Sequence, residues 1–192
     1  MARKVMTEQF TFTKTSLPGV WIVERKYFED DRGSFGRLFC TDEFHKIGLN
    51  KPIVQINHSI TKMKGIVRGM HFQLPPHAET KIVSCTKGAV FDVAVDLRRG
   101  SKAFLSWHGE KLSAKNKKSL IIPEGFAHGF QTLTNDCELI YMHTNYYKKA
   151  AEGGLHVQDK KIAIEWPLPI KNLSEKDRSF KFIGDDYSGV KL

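Results

Sequence analysis

The sequence predicts a mainly β protein, a jelly roll of antiparallel strands with a few short helices. Three observations carry that prediction. Short runs rich in β-branched and aromatic residues recur from Val20 to His143, the spacing expected of a sandwich or barrel. One run, Gly88–Leu97, alternates for most of its length: Phe91, Val93, Val95 and Leu97 share one face, Asp92 and Asp96 the other. Turn signals separate the runs: Asp31-Arg-Gly33, Pro75-Pro76, Lys87-Gly88, Arg99-Gly100, Pro123-Glu-Gly125 and Asn135-Asp136.

Residues 1–15 are polar and form an arm that is held only where it meets a sheet. The strand runs that follow are Val20–Glu24, Pro52–Asn57, Gly65–Phe72, Lys81–Cys85, Gly88–Leu97, Phe104–Trp107, Ser119–Ile122, Gly129–Leu133 and Glu138–His143. A helix is expected over Thr41–Ile47. Thr41 can cap it, Asp42 and Glu43 suit its positive end, and Gly48 can stop it. A second short helix is expected to start at Ser174, ahead of Glu175-Lys-Asp177.

The chain has 192 residues, the size of one domain spanning 1–192. Apolar residues make up 41% and charged residues 27%, which argues against disorder. No stretch approaches the roughly 18–20 apolar residues that a membrane-spanning helix needs. The basic start has no apolar run behind it, so it does not read as a secretory signal. Cys40, Cys85 and Cys137 are far apart and odd in number. They read as reduced thiols of a cytoplasmic protein. Lys and Arg exceed Asp and Glu to leave a net charge of +9, which attracts anions. The basic residues do not cluster beyond Lys111–Lys118, Lys148-Lys149 and Lys160-Lys161, short solvated turns or faces. No nucleic-acid-binding motif is present, and a small anionic ligand suits the charge as well.

Pro123-Glu-Gly-Phe-Ala-His128 has the form P-x-G-x-x-H, the second small motif of the cupin jelly rolls. The first cupin motif of metal-binding members needs H-x-H and a following Glu. Here the strand reads His71-Phe-Gln73, with Glu79 further on. Gln73 is a poor ligand, so the set is incomplete, although His71, Glu79 and His128 are three groups of the right type. Arg68 and His71 point to opposite faces of a strand unless Gly69 bends it. Taken singly, His71 and His128 read as hydrogen-bonded core histidines, Lys81 as a rim lysine and Tyr141 as a core tyrosine.

Together the motifs carry a resemblance. They are Phe28-Glu-Asp-Asp-Arg-Gly33, Val54-Gln-Ile-Asn-His-Ser59, Val67-Arg-Gly-Met-His-Phe-Gln73 and Lys81-Ile-Val. Further along come Val90–Arg98, Leu112-Ser, Ile122–Phe130, Tyr141, Glu165-Trp-Pro167 and Leu173-Ser-Glu-Lys-Asp177. In this order the chain, from about Thr15 to Asp177, resembles the dTDP-4-dehydrorhamnose 3,5-epimerases. The resemblance implies a cupin jelly roll that works without metal or other cofactor. It also implies a homodimer exchanging N-terminal strands, and a nucleotide-diphosphate sugar bearing a 4-keto-6-deoxy ring. A surface-polysaccharide precursor pathway is the family's usual setting.

By the same resemblance His71 matches the general base and Asp177 the carboxylate that orients it. Tyr141 matches the proton donor on the opposite side, and Lys81 the cation beside the developing enolate oxygen. Arg32, Arg68 and Lys176 fall on binding positions whose charge suits a diphosphate. Gln55, Asn57, His128 and Glu152 also fall on binding positions, and Tyr146 on an aromatic that stacks on the base. Two departures concern binding. Arg37 stands among the binding positions where the family carries Glu, and Gln55-Ile56-Asn57 replaces Gln-Asp-Asn. The nucleotide base, and inversion at C3, C5 or both, stay open at this point. So do three alternatives: a nucleotide-sugar ketoisomerase of the same fold, a metal-dependent cupin, and a non-catalytic sugar-binding jelly roll.

Overall fold

The structure is a computed structural model and describes residues 3–192. The N-terminal arm forms β1 (Lys4–Met6) and β2 (Phe10–Lys14), followed by β3 (Trp21–Arg25). A separate hairpin, β4 (Tyr27–Asp30) and β5 (Gly33–Gly36), precedes α1 (Thr41–His45). Then come β6 (Gln55–Thr61), β7 (Val67–Gln73), β8 (Lys81–Lys87) and β9 (Ala89–Asp96). They lead to β10 (Trp107–Ser113), β11 (Ser119–Ile122), β12 (Phe126–Thr132) and β13 (Cys137–His143). A 3₁₀ turn at Lys149–Ala151, β14 (Glu152–Gly154) and α2 (Glu175–Ser179) complete the order.

The strands build two antiparallel sheets. One is seven-stranded, in the order β1-β2-β3-β11-β8-β13-β6; the other is five-stranded, in the order β10-β9-β12-β7-β14. Neighbours in these sheets are far apart in sequence, which is the jelly-roll signature. Among the described residues no helix is long and apolar enough to cross a membrane.

Alternation along each strand decides what faces what. Between the sheets, Val83, Cys85, Val90, Ala94, Leu112, Leu120, Ile122, Phe126, Phe130 and Leu139 form a closed apolar core. Both outer faces are covered as well. Phe10, Phe12, Trp21, Val23, Ile82, Ile121 and Met142 pack under Phe44 of α1. Val93, Val95 and Leu97 pack under Leu155, Val157, Ile162, Ile183 and Val190 of the C-terminal segment. Gln131, fully buried, pins that segment: its Nε2 donates to Leu168 O at 2.8 Å and its Oε1 accepts from Leu168 N at 2.9 Å. The alternation seen in Gly88–Leu97 therefore separates two buried faces. Asp92 and Asp96 are 0% exposed and point between the sheets.

Several expectations shift. Phe104–Trp107 is not a strand: residues 104–106 turn, and Trp107 opens β10, which takes in Lys111 of the basic run. Ser101 and its neighbours are held there by Asp96, whose Oδ2 accepts from Ser101 Oγ at 2.7 Å. The strand expected at Pro52–Asn57 lies three residues later, since Pro52 cannot donate to a ladder. Thr41 is the first residue of α1 rather than its cap; Cys40 takes that place without a side-chain bond. The helix ends at His45, before Ile47. Ser174 caps α2 as expected, its hydroxyl accepting from Asp177 N at 3.0 Å. The N-terminal arm is held throughout Lys4–Lys14, extending the larger sheet.

One irregularity places the site. Between β7 and β12, His71 pairs with His128 but Arg68 pairs with Phe130, so β7 carries one extra residue. That bulge lies at Gly69, whose φ is +136°. Arg68 and His71, three apart, thereby reach the same face. A Cβ at Gly69 would lie 2.6 Å from Gly129 Cα and 3.0 Å from His128 O, against backbone that cannot yield. Gly69→Ala should therefore lower unfolding stability by at least about 2 kcal/mol in urea titration. Gly33→Ala, where φ is +130° with nothing within 4 Å, should cost less.

Candidate active site

The open end of the sandwich is a cavity of about 580 Å³. Its walls come from both sheets. The five-stranded sheet supplies Arg68 and His71 from β7, His128 from β12 and Glu152 from β14; the seven-stranded sheet supplies Gln55 and Asn57 from β6, Lys81 from β8, and Tyr141 and His143 from β13. Each strand is apolar toward the core and polar toward this end: Cys137 and Leu139 lead to Tyr141 and His143 on the same face of β13.

His71 is half-buried, and its Nε2 lies 2.7 Å from Asp177 Oδ1. Asp177 is buried in the first turn of α2. Burial alone would raise its carboxyl. The hydrogen bond and charge of His71, with Ser174 and the Gly69 backbone, outweigh that and hold it below the ordinary carboxylate range. An ionised Asp177 fixes the proton of a neutral His71 on Nε2, leaving the Nδ1 lone pair free to accept another. Phe180 meets the imidazole edge-on, at 5.8 Å between centroids.

Facing this pair from the other sheet is Tyr141. Burial pushes its hydroxyl well above the usual phenol value, with Asp92 adding to the rise. The hydroxyl therefore keeps its proton, within 3.0 Å of Ser59 Oγ. Lys81 Nζ lies 3.1 Å from Glu79 Oε1, and Gln73 donates to the second Glu79 oxygen. His128 Nε2 is bonded to the fully buried Asp92 at 2.8 Å. The three groups weighed as metal ligands are thus each turned to another partner: His71 to Asp177, His128 to Asp92, Glu79 to Lys81. Among the described residues no three His, Cys, Asp or Glu side chains converge as a ligand set.

The sequence-predicted residues divide into two groups. His71, Lys81, Tyr141, Gln55, Asn57, Arg68, His128 and Glu152 line one cavity, and Asp177 stands directly behind His71. Lys176 pairs with Glu152 at its edge. Three others lie outside the lining. Tyr146 is 59% exposed, and its neighbour Tyr147 lines the cavity instead, donating to Glu152 Oε2 at 2.9 Å. Arg32 sits at the exposed β4–β5 turn, bonded to Asp30, and Arg37 pairs with Glu43 of α1. The sequence reading also missed His143, Ser59, Tyr147 and the site role of Asp92; alternation from Tyr141 was enough to place His143 on the cavity face.

The family model for dTDP-4-dehydrorhamnose 3,5-epimerase matches residues 14–185. A protein of that description from Shigella flexneri is 47% identical over 176 residues, covering 91% of this chain and 97% of the relative. The crystal structure of the dTDP-4-dehydrorhamnose 3,5-epimerase of Elizabethkingia anophelis superposes with a TM-score of 0.88 at 39% identity, covering 94% of this chain and all of that one. The epimerase of Legionella pneumophila, solved in complex with dTDP-4-keto-L-rhamnose, superposes at 0.87 with 38% identity, covering 90% of this chain and 92% of its own. Matched over nearly its whole length by the family model and by these relatives, this chain belongs to the dTDP-4-dehydrorhamnose 3,5-epimerase family of isomerases.

Proposed function

We propose that this chain epimerises a dTDP-linked 4-keto-6-deoxy sugar next to its ketone. One observation carries the reading: a carboxylate-backed imidazole on one sheet faces a proton-retaining phenol on the other, with a lysine beside it. A sugar ring held between the sheets presents opposite faces to the two groups.

The ketone at C4 acidifies the hydrogens on C3 and C5. His71 Nδ1 takes one of these protons, and the C–H electron pair becomes a C=C bond as the carbonyl π pair moves onto oxygen. Lys81 lies at that oxygen and stabilises the enolate, an interaction strengthened where water is excluded. Tyr141 then donates its proton to the opposite face of the carbon, inverting it. Solvent removes the proton from His71 and restores the one on Tyr141. Asp177 favours the imidazolium of the first step and fixes the ring tautomer. Arg68 and Lys176 suit the diphosphate, while Gln55, Asn57, His128 and Glu152 suit the sugar and its linkage.

Arg32, Arg37 and the aromatic stacking role lie away from the cavity of a single chain. The exposed Phe28 and Phe35 of the β4–β5 hairpin, and Ile56 and Ile60 on edge strand β6, supply an apolar surface for a second copy. A homodimer that brings the hairpin of one copy to the cavity mouth of the other accounts for both facts. The unpaired thiols of Cys40, Cys85 and Cys137 suit the cytoplasm.

In heavy water, dTDP-4-dehydro-6-deoxyglucose should gain deuterium at C3, C5 or both, read by proton NMR. A product in which the carbonyl has moved would instead mark a ketoisomerase, and no exchange would sink the reading. Asp177→Asn should lower kcat by about 10²–10⁴-fold with folding kept. The stabilisation from Asp177 pairing is complete above the unfolded carboxylate value near pH 4 and lost as pH falls through the lower folded one. Asp177→Asn should therefore flatten the acid limb of unfolding free energy against pH. Ile56→Glu with Ile60→Glu should convert a species of twice the 21.9 kDa chain mass to a monomer in sedimentation velocity.

A further inference from the structure

A directional hydrogen-bond chain runs along the seven-stranded wall of the cavity. It starts at Tyr147, whose backbone N donates to Gln55 Oε1 at 3.1 Å. Gln55 Nε2 donates to Asn57 Oδ1 at 3.1 Å, so the Asn57 oxygen is taken and its Nδ2 must look elsewhere for an acceptor. That Nδ2 lies 3.4 Å from His143 Nε2. On the far side of the ring, His143 Nδ1 faces Glu79 Oε1 at 4.0 Å, the same oxygen that holds Lys81 Nζ at 3.1 Å. The Tyr141 ring lies nearly parallel to the imidazole, 25° between planes and 6.3 Å between centroids. His143 is in register with Gln55 on one side and Lys81 on the other.

We propose that His143 is a positioning residue of the substrate site: its Nε2 lone pair accepts from Asn57, orienting Asn57 and Gln55 toward the substrate, while its Nδ1–H points at the carboxylate that holds Lys81. This rests on the reading of Gln55 and Asn57 as substrate contacts. Only the neutral ring protonated on Nδ1 satisfies the chain. A charged imidazole, or one protonated on Nε2, would set an N–H against the Asn57 amide N–H. Reversing that amide would then set its nitrogen against Gln55 Nε2.

The surroundings favour the neutral ring. The charged and titratable groups around it are Lys81 from β8, Glu79 from the loop before β8, His128 from β12 and Tyr141 from its own strand. Edge strand β6 presents Gln55 and Asn57, which carry no charge. Burial, then Lys81 and His128, bring His143 down to about 4. At neutral pH the ring is thus an acceptor beside a lysine rather than a second cation next to the enolate site. Ile56 next to it carries no charge, so Asn57 has no carboxylate of its own strand beside it.

The test pairs spectroscopy with kinetics on the full chain. In ¹H–¹⁵N spectra of histidine-labelled protein, with the His143 signal assigned by its loss in His143→Gln, the ring should be neutral and protonated on Nδ1 from pH 7 to about pH 5. With dTDP-4-dehydro-6-deoxyglucose, His143→Leu should raise KM about tenfold, the scale of one lost hydrogen bond, and change kcat less than about threefold. His143→Gln, which retains an acceptor oxygen, should recover most of that KM. A charged ring or an Nε2–H tautomer at pH 7 overturns the proposal. So does an unchanged KM in His143→Leu, or an equal rise in both variants. The tautomer is read without turnover, so a failure of the epimerase reading leaves its own distinct result, and a poorly folding Leu variant leaves the spectrum to decide.

Discussion

A buried carboxylate must find a partner, and the bond between Asp177 and His71 meets that demand while defining the site. Asp177 arrives on a short helix outside the sandwich, and His71 stands on a strand within it. Their bond therefore ties the C-terminal segment to the sheet beside the cavity. The same contact keeps the carboxyl ionised and chooses which imidazole nitrogen is free. Rigidity, protonation state and orientation of the imidazole come from one interaction.

The cavity works by contrast between its two walls. The imidazole is backed by a negative charge; the phenol opposite is kept neutral by burial and by Asp92. Lys81 is not left as an isolated cation, because Glu79 shares it, and Glu79 in turn accepts from Gln73. Most buried polar groups here form short connected sets, which lowers the cost of keeping so many inside one end of a sandwich, although Asp92 Oδ2 is buried without a hydrogen-bond partner. The other end of the same interior is filled with Val, Leu, Ile and Phe, and that packed half holds the sheets apart at a fixed distance for a ring to enter.

Much of this was legible in the sequence, for identifiable reasons. Strand identity follows from short-range pattern, and Ser119–Ile122 and the cap at Ser174 are local signals. Co-location of His71, Lys81, Tyr141 and Asp177 came from resemblance alone, since a sheet joins residues by hydrogen bonding and not by spacing. The shared face of Arg68 and His71 hinged on whether Gly69 bends the strand, and only the register with β12 shows the extra residue. Tyr146 and Tyr147 are adjacent exposed aromatics beyond the end of β13, and sequence carries no sign of which one borders the cavity. Arg32 and Arg37 lie on an exposed hairpin and its continuation, where each meets a carboxylate of its own chain, and no local pattern foretells that pairing. His143 was missed although it obeys the alternation, because a lone histidine two residues after a tyrosine carries no motif.

The tail from Leu155 to Val190 seals the outer face of the smaller sheet and also delivers Asp177. The two tasks share one stretch of chain, so a molecule cut before Asp177 would lose at one stroke the partner of His71 and the part of the outer cover that Ile183 and Val190 provide.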